Sequence, residues 1–189
     1  MLIKLRVRST FVKKYIKKTV SEGGQVYVVC PAIEEGDGGE VSLSDIQDDG
    51  IRQKPPLKAA IKCAEELSEA LPELNVAFMH GKLKSEQKEA IMTSFECGDI
   101  DVLVSTTVIE VGVNVPNASM IVIFDANLFG LSTIHQLRGR IARDGNVGYC
   151  YLLSNSLEED VVERLTFIAS NNDGFKISEK DLEIPEYFV

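Results

Sequence analysis

The sequence holds no tryptophan, four cysteines and two histidines among 189 residues, and these shortages narrow the chemistry before any motif is read. Cys30, Cys63, Cys97 and Cys150 are far apart and form no C-x-x-C, so zinc and redox readings lack support. The expectation is four reduced thiols, mostly in or beside the core, and no metal site. No apolar run approaches the roughly 20 residues of a membrane span, and MLIKLRVRST lacks the apolar centre of a secretory signal. No membrane partner is expected, and the expected location is cytoplasmic. The sequence also has no G-x-x-x-x-G-K-[ST], and no D-E-x-H or D-E-x-[HQ] after a strand. The phosphate cradle and magnesium carboxylate that ATP hydrolysis needs are therefore missing.

Positive charge is scarce as well. A net charge of −9 excludes a surface that is basic all over, although not a local patch. Residues 1–18 carry seven Lys or Arg and no acid, whereas 34–50 carry seven Asp or Glu and no base. The first run reads as a solvated helix face, or as an arm that touches DNA or a neighbouring domain. With 44% hydrophobic and 26% charged residues, the chain is long enough for one domain with a core and appendages.

What is present alternates between strand and helix patterns. Val12 to Ser21 has helical periodicity and stops at Gly23-Gly24. Gln25 to Pro31 is a β-branched run, and Glu34 to Pro56 is acidic and aperiodic, as a mobile loop would be. Pro56 opens a helix with Leu57, Ala60, Ile61, Ala64, Leu67 and Leu71 on one face. Asn75 to Met79 is a strand closed by His80-Gly81, and Ser85 suits the N-cap of a helix that ends near Gly98. Further strands are expected at Asp101 to Ser105, Met120 to Phe124 and Val147 to Leu153. A last helix over Leu157 to Ala169 turns Val161, Val162, Leu165 and Ile168 inward, and a polar tail has a turn at Asp173-Gly174. This order predicts an α/β fold with a mostly parallel sheet and helices on both faces. In such sheets ligands gather at the strands' carboxyl ends, where His80 and the run Ser105, Thr106, Thr107, Glu110, Gly112 and Asn114 stand. Those hydroxyls and backbone groups suit either a nucleic-acid phosphate or a plain capped turn.

The chain is organised around Gln136 to Arg143, QLRGRIAR. A helix capped by Ser132 would carry Arg138, Arg140 and Arg143, with Arg140 and Arg143 on one face beside Gln136. Two guanidinium forks suit a polyphosphate, and Gly139 between them hints at a close approach by ligand or backbone. A solvated basic helix end would use the same residues.

These residues carry a resemblance. Gln136, Gly139, Arg140 and Arg143 resemble the Q-x-x-G-R-x-x-R motif of superfamily 2 helicases, and Ser105 to Ala118 resembles their motif V. VAFMHGKL resembles the segment that opens the second RecA-like domain. QVYVVCP, FGLSTIHQLRGR and NDGFKISEKDLEI are similar to RecG-type DNA helicases, over about Phe11 to Ile184; transcription-repair coupling factors are the nearest relatives to exclude. The resemblance implies a RecA-like three-layer sandwich with a C-terminal helical extension: a basic segment and helix (1–24), the helicase C-terminal domain (25–156), and the start of a translocation region (157–189).

It also implies half of an ATP site. Arg140 and Arg143 would stabilise the γ-phosphate, Gln136 and Gly139 would contact nucleotide, and Glu110 and Gly112 would couple to the cleft. Thr106, Thr107, His80 and Gly81 would meet DNA, and Arg138 would serve the fold or DNA. ATP with Mg2+ would be held mainly by a first RecA-like domain, and forked or branched DNA would be the substrate. The sequence departs from the family at Asn114, Ala142 and Asp144, and after Ile184, where PEYFV stands in place of Arg-Gly-Pro-Gly. Because the phosphate cradle and magnesium carboxylate are absent, this chain alone is expected to be inactive. The alternative is a non-catalytic module that binds nucleic acid or protein through an inherited RecA-like fold.

Overall fold

Val26, Val28 and Val29 give the strand Gln25–Cys30 the stiff, branched side chains that suit a pleated interior, and every residue of it is buried. It is the second strand and the centre of a sheet covered on both faces. In this computed structural model residues 2–5, 9–31, 56–106, 118–141, 148–156 and 158–183 are described. The elements in chain order are β1 (Leu2–Leu5), α1 (Ser9–Ser21), β2 (Gln25–Cys30), α2 (Pro56–Ala70), β3 (Val76–Met79), α3 (Ser85–Glu96) and β4 (Val102–Thr106). There follow β5 (Ala118–Ile123), a 3-10 turn (Ala126–Leu128), α4 (Leu131–Arg138), β6 (Tyr149–Leu152), α5 (Glu159–Ser170) and α6 (Gly174–Glu183). Among the described residues the sheet has six strands in the order β1-β6-β5-β2-β4-β3, all paired in parallel.

Side chains alternate across this sheet and build two cores. Val26, Val28, Val102, Val104, Met120 and Val122 pack with Val12 and Ile16 of α1 and Ala60, Ala64 and Leu67 of α2. On the other face Tyr27, Leu103, Ile121, Ile123 and Leu152 meet Phe95 of α3, Ile134 of α4, Leu165 and Ile168 of α5, and Ile177 of α6. This is the three-layer α/β sandwich expected from the pattern.

Several local expectations change. Leu2–Leu5 pairs with β6, from Leu2↔Tyr149 to Leu5↔Leu152, where the sequence reading placed only a basic segment. The lysines of α1 lie on a solvated helix face, as one of the two readings had it: Lys14, Lys17 and Lys18 are exposed, with surface contacts from Lys17 to Glu73 at 2.5 Å and from Lys13 Nζ to Glu66 O at 3.5 Å. Ile61 and Val162, expected inward, are exposed, because each lies at the rim of its helix's apolar stripe. Lys84, not Ser85, is the N-cap of α3. The polar tail, for which a helical extension was expected, is helical over α6 and buries Ile177 completely. The loop expected over Glu34 to Pro56 lies outside the described residues except for Pro56.

The largest correction concerns α4. Its N-cap is Gly130, which has no side chain, and Ser132 is its second residue. The cap comes from α6 instead: Asp181 accepts from Leu131 N at 2.8 Å and from Ser132 N at 3.0 Å. A carboxylate at a helix N-terminus satisfies orphan N–H groups and complements the helix dipole. Burial opposes the Asp181 charge, but the bonds from Ser132 and Leu131 and the nearby Arg164 guanidinium outweigh it and hold the carboxyl below its ordinary value. A group whose folded pKa is depressed stabilises the fold above its unfolded pKa, and that contribution fades as pH falls through the folded value. Asp181→Ala should therefore cost about 1 kcal/mol in urea unfolding at pH 7, in line with a lost cap. The gap to the unsubstituted chain should shrink once pH drops below about 4, the ordinary carboxylate range; an undiminished gap at pH 3 would sink the assignment.

Candidate functional site

Because all strands run parallel, their carboxyl ends share one edge. Met79 of β3 stands opposite Ser105 of β4, and Cys30 of β2 opposite Thr106. His80 and Thr106 therefore emerge at that edge on neighbouring strands. The His80 ring stacks on Phe78 at a centroid distance of 5.4 Å, and its Nδ1 is buried with no partner among the described residues. Ser105 is fully buried, and its Oγ likewise lacks a partner there. Gly81, Lys82 and Lys84 are exposed beside them, and two ammonium groups next to unsatisfied polar atoms suit an anionic backbone. Lys82 and Lys84 were not singled out from the sequence, although their place just after a strand end was a usable signal. Thr106 itself is 4% exposed, so its hydroxyl lies beneath this surface.

Farther along the same edge Asp125 follows β5 in the left-handed region, φ 47° and ψ 48°. An aspartate tolerates this conformation better than most residues. Asn155 Nδ2 donates to its Oδ1 at 3.2 Å, while burial, the larger effect, pushes its carboxyl upward. The turn delivers the chain to Gly130 and so starts α4 at the carboxyl edge.

Eight residues at about 1.5 Å each carry α4 roughly 12 Å back across the sheet. At its far end Arg138 is 4% exposed. Its Nη1 donates to Ile168 O at 2.7 Å and to Asn171 O at 3.1 Å, and its Nη2 to Asn172 Oδ1. Desolvation by burial lowers its pKa. Of the two roles expected for Arg138, the fold or nucleic acid, its contacts favour the fold: its fork is spent on the carbonyl end of α5.

The helix stops at Arg138, with Gly139 as its C-cap at φ −68°. Glycine thus sits at a helix end, where the interior penalty does not apply. A Cβ there would meet only Gln136 O at 3.4 Å and His135 O at 3.8 Å, so no close approach from within the described chain requires it. Arg140 follows in a turn, half-buried, and no ion pair to it forms among the described residues. Gln136 is exposed on α4.

Arg140 lies on the side of the sheet where Tyr27 and Glu96 meet. Burial raises the Tyr27 hydroxyl well above its usual range; the Arg140 charge pulls it back and Glu96 adds to the rise. The Tyr27 hydroxyl is buried with no partner among the described residues, and the ring packs edge-on against Phe95 at 4.9 Å. Near the start of β2, Gln25 Nε2 donates to Phe95 O at 2.5 Å and Ile100 O at 2.7 Å, tying α3 to that end of the sheet. The structure thus separates Arg140, past the far end of α4, from His80, Gly81 and Thr106 at the carboxyl edge. Thr107, Glu110, Gly112 and Arg143, together with Asn114, Ala142 and Asp144, lie outside the described residues. Among the described residues no three His, Cys, Asp or Glu converge as a metal site, and no helix is long and apolar enough to cross a membrane.

Comparison with known proteins agrees with this geometry. The family described as helicase conserved C-terminal domain matches residues 8–145. The ATP-dependent DNA helicase RecG of Thermotoga maritima is 42% identical over 173 residues, 91% of this chain and 20% of the relative. RecG of Bacillus subtilis is 42% identical over 171 residues, 90% of this chain and 23% of the relative. The chain therefore spans about a fifth of the length of these relatives. A solved structure of RecG bound to a three-way DNA junction matches 98% of this chain and 22% of that one, with a TM-score of 0.76 at 36% identity. The yeast DEAD-box splicing factor Prp28 matches 98% of this chain and 37% of its own with a TM-score of 0.64, a likeness of fold alone at 16% identity. With a RecA-like sheet, an arginine-bearing turn behind α4 and RecG-like sequence along nearly its whole length, the chain belongs to the helicase conserved C-terminal domain family and is of the RecG type.

Proposed function

We propose that this chain is the second motor domain of an ATP-dependent DNA helicase that remodels branched DNA. Residues 25–156 form the motor unit in this reading, and 157–189 begin the region that couples it to movement on DNA. The observation that carries it is the match over 98% of the chain to RecG bound to a three-way junction, a structure that holds DNA.

The residues present fit a shared nucleotide. Arg140 is a permanently charged fork with no ion pair among the described residues, in a turn anchored behind Arg138, and it suits a phosphate presented from outside the chain. Arg143 and Gln136 complete the group in this reading, and Glu110 and Gly112 would couple it to the cleft. ATP with Mg2+ supplies the transferable phosphoryl group and the bridging metal. This chain offers guanidinium charge where negative charge develops, and a first RecA-like domain would supply the phosphate cradle and metal carboxylates that the sequence lacks. At the other edge His80, Gly81, Thr106 and Thr107, with Lys82 and Lys84, would follow the DNA backbone. A parent protein that acts on DNA in this way would be cytoplasmic.

Purified chain alone should hydrolyse no ATP above buffer at saturating ATP and Mg2+, with or without forked DNA. Turnover that survives further purification would overturn the half-site reading and favour a self-sufficient enzyme. In the helicase reunited with its first motor domain, Arg140→Ala should lower kcat by about 10³ to 10⁵ with the fold intact. Arg138→Met should behave oppositely: it removes charge-assisted bonds worth about 1.5–3 kcal/mol each, so thermal stability should drop. If Arg140→Ala leaves kcat within a factor of about ten, a non-catalytic binding module becomes the better description.

A further inference from the structure

The strand order leaves β3 at an edge of the sheet, paired with β4 on one side and with no described strand on the other. Such an edge offers unpaired backbone N–H and C=O groups to another extended chain. Beside it α2 walls a groove of about 380 Å³, lined by Ile61, Glu65 and Glu69 of the helix and by Val76 and Phe78 of the strand. Val76 and Phe78 are two apart, half-buried, and face α2. Ile61, Glu65 and Glu69 recur at intervals of four and so form one stripe along the helix. Ile61 is 37% exposed, which leaves an apolar floor open to solvent. Glu65 and Glu69 are exposed, and neither has an ion pair among the described residues, whereas Glu66 pairs with Lys62 at 3.5 Å. We propose that this groove docks an extended segment of a partner protein that carries Lys or Arg at alternate positions and adds to the free edge of β3 as a further strand.

Spacing and charge select that occupant. Four residues of helix rise about 6 Å, and alternate residues of a strand lie roughly 6.6 Å apart on one face. A basic-x-basic segment laid along β3 therefore brings two cations into step with Glu65 and Glu69. The aliphatic stems of those side chains cover Ile61 and Phe78, while the charged heads reach the carboxylates. Main-chain pairing supplies affinity, and the alternate side chains supply selectivity. Ile61 to Glu69 spans about 12 Å and the four residues of β3 about 13 Å. The contact thus takes a segment of about five residues. The acidic run of this chain at 34–50 would meet like charge here, as would a nucleic-acid backbone. Neither the arginine turn nor the carboxyl edge takes part, so the docking site stands or falls apart from the helicase reading.

The probe is the peptide acetyl-Val-Lys-Val-Lys-Val-amide, titrated into the isotope-labelled full chain and followed by amide NMR. Its isomer acetyl-Val-Lys-Lys-Val-Val-amide is the control, with the same charge and composition but with its lysines on opposite faces of a strand. The alternating peptide should shift the signals of residues 61–69 and 76–79, slow amide exchange in β3, and bind about fivefold more tightly than the isomer. Glu65→Gln combined with Glu69→Gln, two exposed positions, should leave Tm unchanged and weaken the alternating peptide by roughly three- to tenfold. Glu86→Gln combined with Glu89→Gln, which removes the same charge from exposed sites on α3, should leave its affinity unchanged. Equal binding of the two peptides, shifts centred outside the groove, or no saturable shift at millimolar peptide would overturn the proposal. So would self-association in sedimentation that Glu65→Lys abolishes, because a second copy of this chain would then be the occupant.

Discussion

An eight-residue helix is too short to hold itself together in water, and the placement of Arg140 depends on one. Charged side chains secure both ends of α4. Asp181 of α6 occupies its N-terminus, and Arg138, its own last residue, binds the carbonyls of Ile168 and Asn171 at the close of α5. Both contacts have the sign that a helix dipole favours, a carboxylate at the amino end and a cation near carbonyl ends. Between them Leu131 and Ile134 are fully buried against the sheet. The turn with Arg140 therefore leaves a helix fixed at two points, which limits how far the guanidinium can wander from a phosphate offered across an interface.

The parallel sheet decides what this fixed helix can do. Every crossover brings the chain back to begin its next strand at the amino edge, so the carboxyl edge collects loops and the helix ends collect opposite. His80 and Thr106 fall on the first side by this rule alone. Arg140 reaches the other region because α4 starts at Leu131, just after the Asp125 turn on the carboxyl edge, and spends its whole length crossing back. On the proposed reading, two groups of candidate residues at different edges of the sheet would let nucleotide and DNA meet the same body without competing for the same space.

Much of this was legible in the sequence because it rests on periodicity and punctuation. Gly23 and Gly98 sit at φ 83° and 85°, conformations that glycine adopts without strain, and they end α1 and α3 where the pattern placed the stops. The central strands were readable from their branched runs. What escaped was set by distant partners. Ser132 has the residue type of a cap, but Asp181, some fifty residues on, supplies the oxygens; the clue was an acid one turn after the buried Ile177, on the inward face of α6. Leu2–Leu5 was unreadable for a related reason: four residues carry no period of their own, and an edge strand is defined by the neighbour it pairs with. Spacing grouped Arg138 with Arg140, whereas burial separates them, one fork spent on backbone carbonyls and the other without an ion pair among the described residues.

That separation bears on how an arginine motif is built. A guanidinium meant for phosphate needs few competing partners within its own domain, yet an arginine on a flexible turn would spread its charge over many positions and lose much of its effect in the transition state. On the proposed reading this chain would meet both demands by dividing them between neighbours. Arg138 commits its guanidinium to backbone carbonyls and so anchors the helix, in a buried site that lowers its pKa, and Arg140, two residues on, forms no ion pair among the described residues and follows the anchored helix end. Asp181 adds a further dependence, because a carboxylate on α6 holds the start of the helix whose end carries the arginines. Any displacement of α6 must either break two bonds at the N-terminus of α4 or move α4 with it, and the second course shifts Arg140. The residues beyond α5 are thus mechanically continuous with the arginine turn through one side chain.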